Sequence, residues 1–246
     1  FRSNYKKQYD SQINWNDKEV SQLWNYNLHY FDYINNLALA FYSKNDKLYY
    51  DKYKKIIKSW IENNPLGVGD TWHPYTVSLR LINWVKSYYY FKENLESDLE
   101  FKQDFLNHII IHALYIKKNM EYDVRGNHLL ENIRALIAVS IFLNKKYWLN
   151  QALNFLYNQL DEQILKDGGH FERSPMYHSI VLFDLLEISY WLNNHKINYN
   201  EILDEKIIKM LKFLQNILHP DEKIPLFNDS TFDIAKEPKK LFEIAN

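Results

Sequence analysis

The sequence predicts an all-α fold, and three of its features indicate this class. Glycine and proline are scarce, with 5 Gly and 6 Pro in 246 residues, which is typical of mostly helical proteins. Apolar residues recur at steps of three and four, the spacing of an amphipathic helix face. The sequence has no alternating Val-, Ile- and Thr-rich stretch that would favour a strand. We expect helical hairpins arranged as an incomplete (α/α) toroid.

The apolar periodicity divides the chain into eight predicted helices. The stripe is clear at Ile133, Leu136 and Ile137, which share one helix face. Ser174 suits an N-cap and Pro175 the first turn that follows it. The predicted helices span residues 18–43, 46–63, 74–92, 98–120, 128–143, 146–165, 175–194 and 199–218.

Polar clusters recur at a regular interval along the chain. His73, His128, His178 and Asn228 are separated by 55, 50 and 50 residues. About fifty residues make one helical hairpin, so every other helix begins at the same end of the molecule. This spacing predicts that the helix starts at His73, His128, Tyr177 and Asn228 gather on one rim, where a cleft would form.

Length and composition restrict the class of protein. The length predicts one domain over residues 1–246. A net charge of −1 argues against a nucleic-acid module, and no apolar run is long enough for a membrane span. The absence of cysteine excludes disulfides and thiolate metal sites. The chain begins at Phe1, so we expect the native N-terminus to be missing, and the sequence itself assigns no compartment.

The densest group of reactive side chains lies between two predicted helices, in residues 167–178. A helix cap and its first turn account for the serine and proline there, but not for the other polar residues. The candidates are His170, Glu172, Arg173, Tyr177 and His178. The alternative is a capped helix start with incidental polar residues.

A second cluster begins at Asn127 and His128. Asn127, Glu131 and Arg134 share a helix face at i, i+4 and i+7. The alternative is that Asn127 is an ordinary N-cap and that Glu131 and Arg134 form a surface pair.

A third cluster contains aromatic residues, which make up 17% of the chain. Sugar rings present C–H faces that stack on aromatic planes, so carbohydrate binding and core packing are both open. Trp72, Tyr75, Tyr30 and Trp24 are candidates for stacking, and His73 and Arg80 accompany them.

Four segments together resemble the N-terminal toroid domain of heparinase II/III family proteins. The segments are LWNYNLHYFDYI (23–34), WHPYTVSLRLINW (72–84), NHLLEN (127–132) and DGGHFERSPMYH (167–178). The likeness runs in order from about residue 20 to about residue 230. It implies a polysaccharide lyase that cleaves a uronic-acid-containing anionic polysaccharide by β-elimination, without a cofactor or metal. It also favours a periplasmic or secreted bacterial protein.

The resemblance implies roles for three residues. Asn127 and His128 match the pair that binds and neutralises the C5 carboxylate, and Tyr177 matches the tyrosine that acts on the C5 proton, on the departing O4, or on both. A further His or Tyr is expected from a C-terminal β-sandwich domain that this chain lacks. The predicted substrate-binding residues are Trp72, His73, Tyr75, Arg80, Glu131, Arg134, His170, Glu172, Arg173 and His178.

A tyrosine that acts as a base needs positive charge or hydrogen-bond donors nearby, because its ordinary pKa is about 10. Arg173 and His178 are the nearest candidates in sequence, and Arg80 or Arg134 are candidates if they reach the same rim.

Three other interpretations remain open. A non-catalytic polysaccharide-binding protein of a bacterial surface-polysaccharide pathway would keep the fold without turnover. An α/α-barrel glycoside hydrolase would need paired carboxylates, for which Glu131, Glu172 and Asp229 are the candidates. A zinc site would draw on His73, His128, His170 and His178, although none of them has HExxH spacing.

Overall fold

The computed structural model describes residues 12–44 and 46–245, and this part of the chain is helical. Within it there is no strand, only an isolated bridge between Ile164 and His170. The all-α prediction is confirmed. The helices are α1 (Gln22–Tyr30), α2 (Ile34–Lys44), α3 (Lys47–Asn63), α4 (Pro74–Tyr90), α5 (Lys92–Glu96), α6 (Leu99–Lys118), α7 (Gly126–Phe142), α8 (Lys146–Gln163), α9 (Pro175–Asn194), α10 (Ile202–Ile217) and α11 (Pro238–Ala245), with a 3-10 turn at Asp70–Trp72.

The described residues fall into two compact units, residues 12–120 and residues 121–245. We call them the N-terminal unit and the C-terminal unit. The expectation of one domain over residues 1–246 stays a prediction. In neither unit is any described helix both long enough and apolar enough to cross a membrane.

The N-terminal unit is built around α4, which packs against α1, α2 and α6. Its core is strongly aromatic. The ring of Trp84 lies edge-on to Trp60, with centroids 5.4 Å apart, and 5.2 Å from Phe105. Core packing therefore accounts for a large share of the aromatic residues of this unit.

The predicted helix over residues 18–43 is wrong as one element, because the chain breaks between α1 and α2. Phe31 adopts a left-handed backbone conformation with φ 65°. Its ring is fully buried, stacked on Trp15 and edge-on to Trp84. Burial of this ring compensates for the strain of the left-handed backbone. The spacing of apolar residues does not predict such a break.

The C-terminal unit consists of two helical hairpins and a short last helix. α7 packs on α8, α9 packs on α10, and α7 also contacts α9. α9 begins as its sequence predicts: Pro175 occupies the first turn, and the hydroxyl of Ser174 accepts a hydrogen bond from the Tyr177 amide at 3.4 Å. Its bounds match the predicted residues 175–194.

The expectation that a helix begins at Asn228 is wrong. Asn228 has φ 50°, a left-handed conformation that a helix cannot continue through. Its side-chain amide instead donates to the carbonyl oxygen of Arg173 at 2.7 Å, and the Ser230 hydroxyl accepts from the Met176 amide at 3.1 Å. The segment therefore packs against the start of α9 without opening a helix, and the next helix begins at Pro238.

Candidate functional site

The start of α7 lies against the loop that precedes α9. Arg125 and Gly126 have positive φ values of 61° and 54°. A Cβ on Gly126 would displace the carboxylate of Glu172, and the positive φ would strain any other residue there. The same carboxylate accepts a hydrogen bond from the Asn127 amide at 3.2 Å. Glu172 thus caps α7 from outside the helix and places a negative charge at the positive end of its dipole.

The alternative interpretation, in which Asn127 is the N-cap of its own helix, is wrong. The N-cap position belongs to Arg125, and Asn127 lies one residue inside α7. Its side chain is 8% exposed. The carboxamide makes no hydrogen bond within the part of the chain that the structure describes. A nearly buried amide without a protein partner is a group that a bound ligand can satisfy.

His128, the next residue, is oriented by an acid that the sequence analysis did not identify. Its Nδ1 atom lies 2.8 Å from Oε1 of Glu121. Glu121 belongs to the turn before α7, seven residues from His128, and no periodic pattern connects the two positions. Only the fold of this turn brings them together.

Tyr177 lies half-buried in the first turn of α9. Its hydroxyl makes no hydrogen bond with any described residue. Burial, followed by the negative charges of Glu172 and Asp229, raises the pKa of the phenol above its usual value. Tyr177 is therefore held in its protonated form, as a hydrogen-bond or proton donor.

The positive charge expected beside Tyr177 is not supplied by the residues proposed for it. Arg173 is exposed and is not among the charges that act on the phenol. Burial lowers the pKa of His178 to about 4, so this ring is neutral. Arg80 and Arg134 are both buried in the cores of their own units.

His170 and His178 form a buried hydrogen-bonded group behind the start of α9. Nδ1 of His178 accepts from the His170 amide at 3.3 Å, and its Nε2 donates to the Met210 carbonyl oxygen at 3.1 Å. Nε2 of His170 lies 2.9 Å from Oε1 of Gln163, whose amide nitrogen donates to the Gly126 carbonyl oxygen. Because both nitrogens of His178 are engaged, this ring cannot ligate zinc as the four-histidine alternative requires.

We expect the free energy of unfolding to fall as the pH drops from about 6.5 towards 4. The pKa of His178 is about 4 in the folded protein and 6.5 ordinarily, so unfolding takes up a proton below pH 6.5. This stabilisation is complete above pH 6.5, is lost as the pH falls through 4, and amounts to about 3 kcal/mol at most. Urea unfolding measured against pH tests it. His178→Gln offers a donor and an acceptor without titrating and should make the profile less steep, whereas the exposed His195→Gln should not. Part of the slope should remain, because burial also lowers the pKa values of His29, His112 and His170. An unaltered profile in His178→Gln would contradict the assignment.

Glu131 and Arg134 lie in a buried ionic cluster between α7 and α9. The Arg134 guanidinium donates to Glu131 at 2.9 Å and contacts Asp184 at 2.6 Å and Glu187 at 2.8 Å. Burial raises the pKa of Asp184 well above its ordinary value, which Glu131 and Glu187 reinforce and Arg134 opposes. Three acids around one cation favour a protonated Asp184. The Glu131–Arg134 pair of the alternative interpretation is therefore present, but its expected position on the surface is wrong. Direct substrate contact by either residue stays a prediction, which their burial does not favour.

Arg80 occupies the core of the N-terminal unit and has no exposed surface. Its guanidinium carbon lies 4.1 Å from the ring centroid of Trp60. Its Nε donates to His112 at 2.9 Å, and one terminal nitrogen donates to the carbonyl oxygens of His29 and Thr71. These contacts give Arg80 a role in holding α1, the 3-10 turn and α6 around α4. Its predicted contact with substrate stays untested.

The other predicted residues of the N-terminal unit differ in their exposure. Trp72 is buried, with its ring 4.8 Å from that of His112 and 5.0 Å from that of Tyr115. His73 and Tyr75 are half-buried where α4 begins, beside the rings of Tyr26 and Tyr30 on α1. Of the candidates for sugar stacking, Trp24, Tyr30 and Tyr75 are partly exposed and Trp72 is buried.

In the C-terminal unit the structure therefore brings together the starts of α7 and α9 and the segment around Asn228. The Glu172 carboxylate connects the first two, and the Asn228 amide connects the last two. Asn127, His128 and Tyr177 are all carried by these helix starts. The position of His73 on the same rim stays a prediction.

Comparison with known proteins is consistent with this arrangement of helices. Over residues 1–243 the chain matches the family described as heparinase II/III N-terminus. It is 27% identical over 245 residues to a heparin-sulfate lyase of Bacteroides thetaiotaomicron, covering 92% of this chain and 35% of the relative. It is 25% identical over 240 residues to a heparin-sulfate lyase of Pedobacter heparinus, covering 90% and 35%. The chain thus spans about a third of the length of these relatives.

Solved structures show the same fold. The crystal structure of heparinase III matches with a TM-score of 0.86 at 24% identity, covering 98% of this chain and 40% of that one. The crystal structure of the heparan sulfate lyase HepC from Pedobacter heparinus matches with a TM-score of 0.72 at 23% identity, covering 89% and 36%.

Proposed function

Because this chain belongs to the heparinase II/III family over residues 1–243, we propose that it is the helical domain of a polysaccharide lyase. The substrate is an anionic polysaccharide that contains uronic acid, and the reaction is β-elimination. The observation that carries the proposal is a pair of polar groups without a partner among the described residues, the Asn127 carboxamide and the Tyr177 hydroxyl at the two helix starts.

Asn127 and His128 bind the C5 carboxylate of the uronic acid in this proposal. Removal of the C5 proton shifts negative charge onto that carboxylate, and fixed donors lower the energy of the charge that develops. The Asn127 amide is neutral, so it does not hold the ground-state carboxylate as tightly as a buried arginine would. Its lack of a protein partner supports this role.

Tyr177 donates the proton to the leaving group. The C5–H bond breaks as its proton passes to a base, a double bond forms between C4 and C5, and the C4–O4 bond breaks. O4 then takes the proton of the Tyr177 hydroxyl. The raised pKa of Tyr177 supports the acid role over a tyrosinate base.

The base is assigned to a His or Tyr of a further domain in the same protein. The acids beside Tyr177 disfavour its deprotonation, and the relatives are about three times as long as this chain. The resemblance stated above implies a β-sandwich domain as the source. We therefore expect this chain to supply part of the site, and a second domain to complete it.

The proposal is tested by incubating the full-length protein with a panel of uronic-acid polymers. β-Elimination produces an unsaturated uronate that absorbs in the ultraviolet, together with a new reducing end. A glycoside hydrolase would release reducing ends without the absorbance, and a binding protein would retain the polymer without either product. If the protein retains a polymer but yields reducing ends without the absorbance, or no product at all, the lyase assignment is overturned.

Asn127→Ala in the full-length protein should lower turnover about 10²-fold or more. The amide is needed mainly in the transition state, so kcat should fall more than substrate affinity. The variant should keep its fold, because the hydrogen bond of Asn127 to Glu172 is made by the backbone amide and does not need the side chain. Steady-state kinetics and circular dichroism measure both effects, with Asn150→Ala in α8 as an exposed control. Near-normal turnover in Asn127→Ala would remove Asn127 from the site.

A further inference from the structure

Glu121 is a buried acid held at both oxygens directly before α7. It is 5% exposed. One oxygen lies 2.8 Å from Nδ1 of His128, and the other accepts from the side-chain amide of Asn132 at 3.0 Å. The oxygen of that same Asn132 amide accepts from the Glu121 backbone amide at 2.9 Å. Asn132 thus holds the acid at two points, and the carboxylate cannot rotate away from His128.

This arrangement determines which nitrogen of His128 carries the proton. A carboxylate only accepts hydrogen bonds, so Nδ1 must be the donor to Glu121. In the neutral ring the proton therefore sits on Nδ1. The Nε2 atom, on the opposite side of the ring, keeps a fixed direction and a fixed hydrogen-bonding character.

We propose that Glu121 is a positioning residue, which sets the tautomer and the orientation of His128 for contact with the uronate. The inference rests on the proposed lyase function, because His128 is placed at the substrate carboxylate there. Glu121 itself touches no substrate. Its effect passes through the His128 ring, in the way that a carboxylate behind a functional histidine fixes that ring.

Glu121→Gln in the full-length protein separates this role from simple packing. His128 and Asn132 both direct donors at the acid, whereas glutamine offers one oxygen and one NH₂ group. Either one of the two hydrogen bonds fails, or the NH₂ group turns to His128 and the ring changes to the Nε2–H tautomer in order to accept from it. We expect kcat to fall on the order of 10- to 100-fold, the range that loss of such an outer partner costs a metal-binding histidine, with KM changed only a few-fold. Glu205→Gln, an exposed change on α10, is the matched control and should leave kcat unaltered.

The tautomer of His128 distinguishes the positioning role from packing, because a loss of packing alone would not change it. Nitrogen-15 NMR of the imidazole at mildly alkaline pH should show the Nδ1–H form in the parent and a substantial Nε2–H population in Glu121→Gln. If the glutamine variant does not fold, Glu121→Asp is the second variant, because it keeps the charge and shortens the side chain. It should show smaller changes in kcat and in the tautomer of His128.

An identical tautomer in the parent and the variant would overturn the proposal, and so would an unaltered kcat. A parent protein that eliminates none of the uronate polymers would refute the lyase function instead. In that case the tautomer comparison alone still decides whether Glu121 sets the His128 ring.

Discussion

Tyr177→Phe in the full-length protein is expected to lower turnover by about 10²–10⁴-fold, the usual worth of general acid–base assistance. The change removes one hydroxyl and keeps the ring. That hydroxyl makes no hydrogen bond with the rest of the described chain, so stability should change little. KM should also change little, because proton transfer to O4 belongs to the chemical step. Steady-state kinetics on a validated uronate polymer, with the thermal unfolding midpoint as a control for folding, measures the effect.

The same experiment tests whether the site is divided between domains. The isolated chain of 246 residues should be nearly inactive even with Tyr177 intact, because the base is assigned elsewhere. Full-length protein, full-length Tyr177→Phe and the isolated chain should be assayed together, after circular dichroism has shown that the isolated chain is helical. High activity of the isolated chain would show that the helical domain is self-sufficient and would refute the divided site.

Arg134→Leu is expected to destabilise the protein by about 3–5 kcal/mol, the usual cost of removing one partner from a buried ion pair. The change leaves Glu131, Asp184 and Glu187 beside each other without a cation. Such a loss is comparable to the whole stability of many domains. Chemical denaturation measures it, and Lys212→Met on the exposed side of α10 should change stability by no more than about 0.5 kcal/mol.

The pH dependence of the Arg134→Leu variant gives a second test of the cluster. Without the cation, all three acids should have raised pKa values, so the folded state should bind more protons than the unfolded state. A raised pKa contributes stability that is present at low pH and is lost as the pH rises through it. The difference in stability between the variant and the parent should therefore become smaller as the pH is lowered towards 5. A variant as stable as the parent at neutral pH would contradict the structural role of Arg134.

The all-α fold class and most helix positions could be predicted from the sequence, because they depend on local signals. The start of α9 is the clearest example: a serine cap and a proline in the first turn are sufficient to locate it. The break at Phe31 and the turn at Asn228 could not be predicted. Both depend on residues with left-handed backbone conformations, whose strain is compensated by contacts far away in sequence. Phe31 packs in the aromatic core, and Asn228 donates to the Arg173 carbonyl oxygen.

The candidate site could be predicted only in part for the same reason. Asn127, His128 and Tyr177 could be proposed because they lie at predicted helix starts and match the family pattern, and their roles stay predictions. Glu121 was missed, since its bond to His128 exists only once the turn before α7 has folded. Arg134 was taken for a residue of the rim because two of its three acidic partners, Asp184 and Glu187 on α9, are far from it in sequence.

The contact between Gly126 and Glu172 has a consequence for how related sequences can vary. A side chain at position 126 would displace the Glu172 carboxylate, so a change at one position should alter the cost of a change at the other, in addition to the strain of the positive φ at 126. Among homologues, a larger residue at 126 should appear together with a shorter one at 172, and the amide of residue 127 would then need another acceptor. Introducing Gly126→Ala and Glu172→Ser together should therefore be tolerated better than Gly126→Ala alone, and a non-additive pair of unfolding free energies would reveal the coupling.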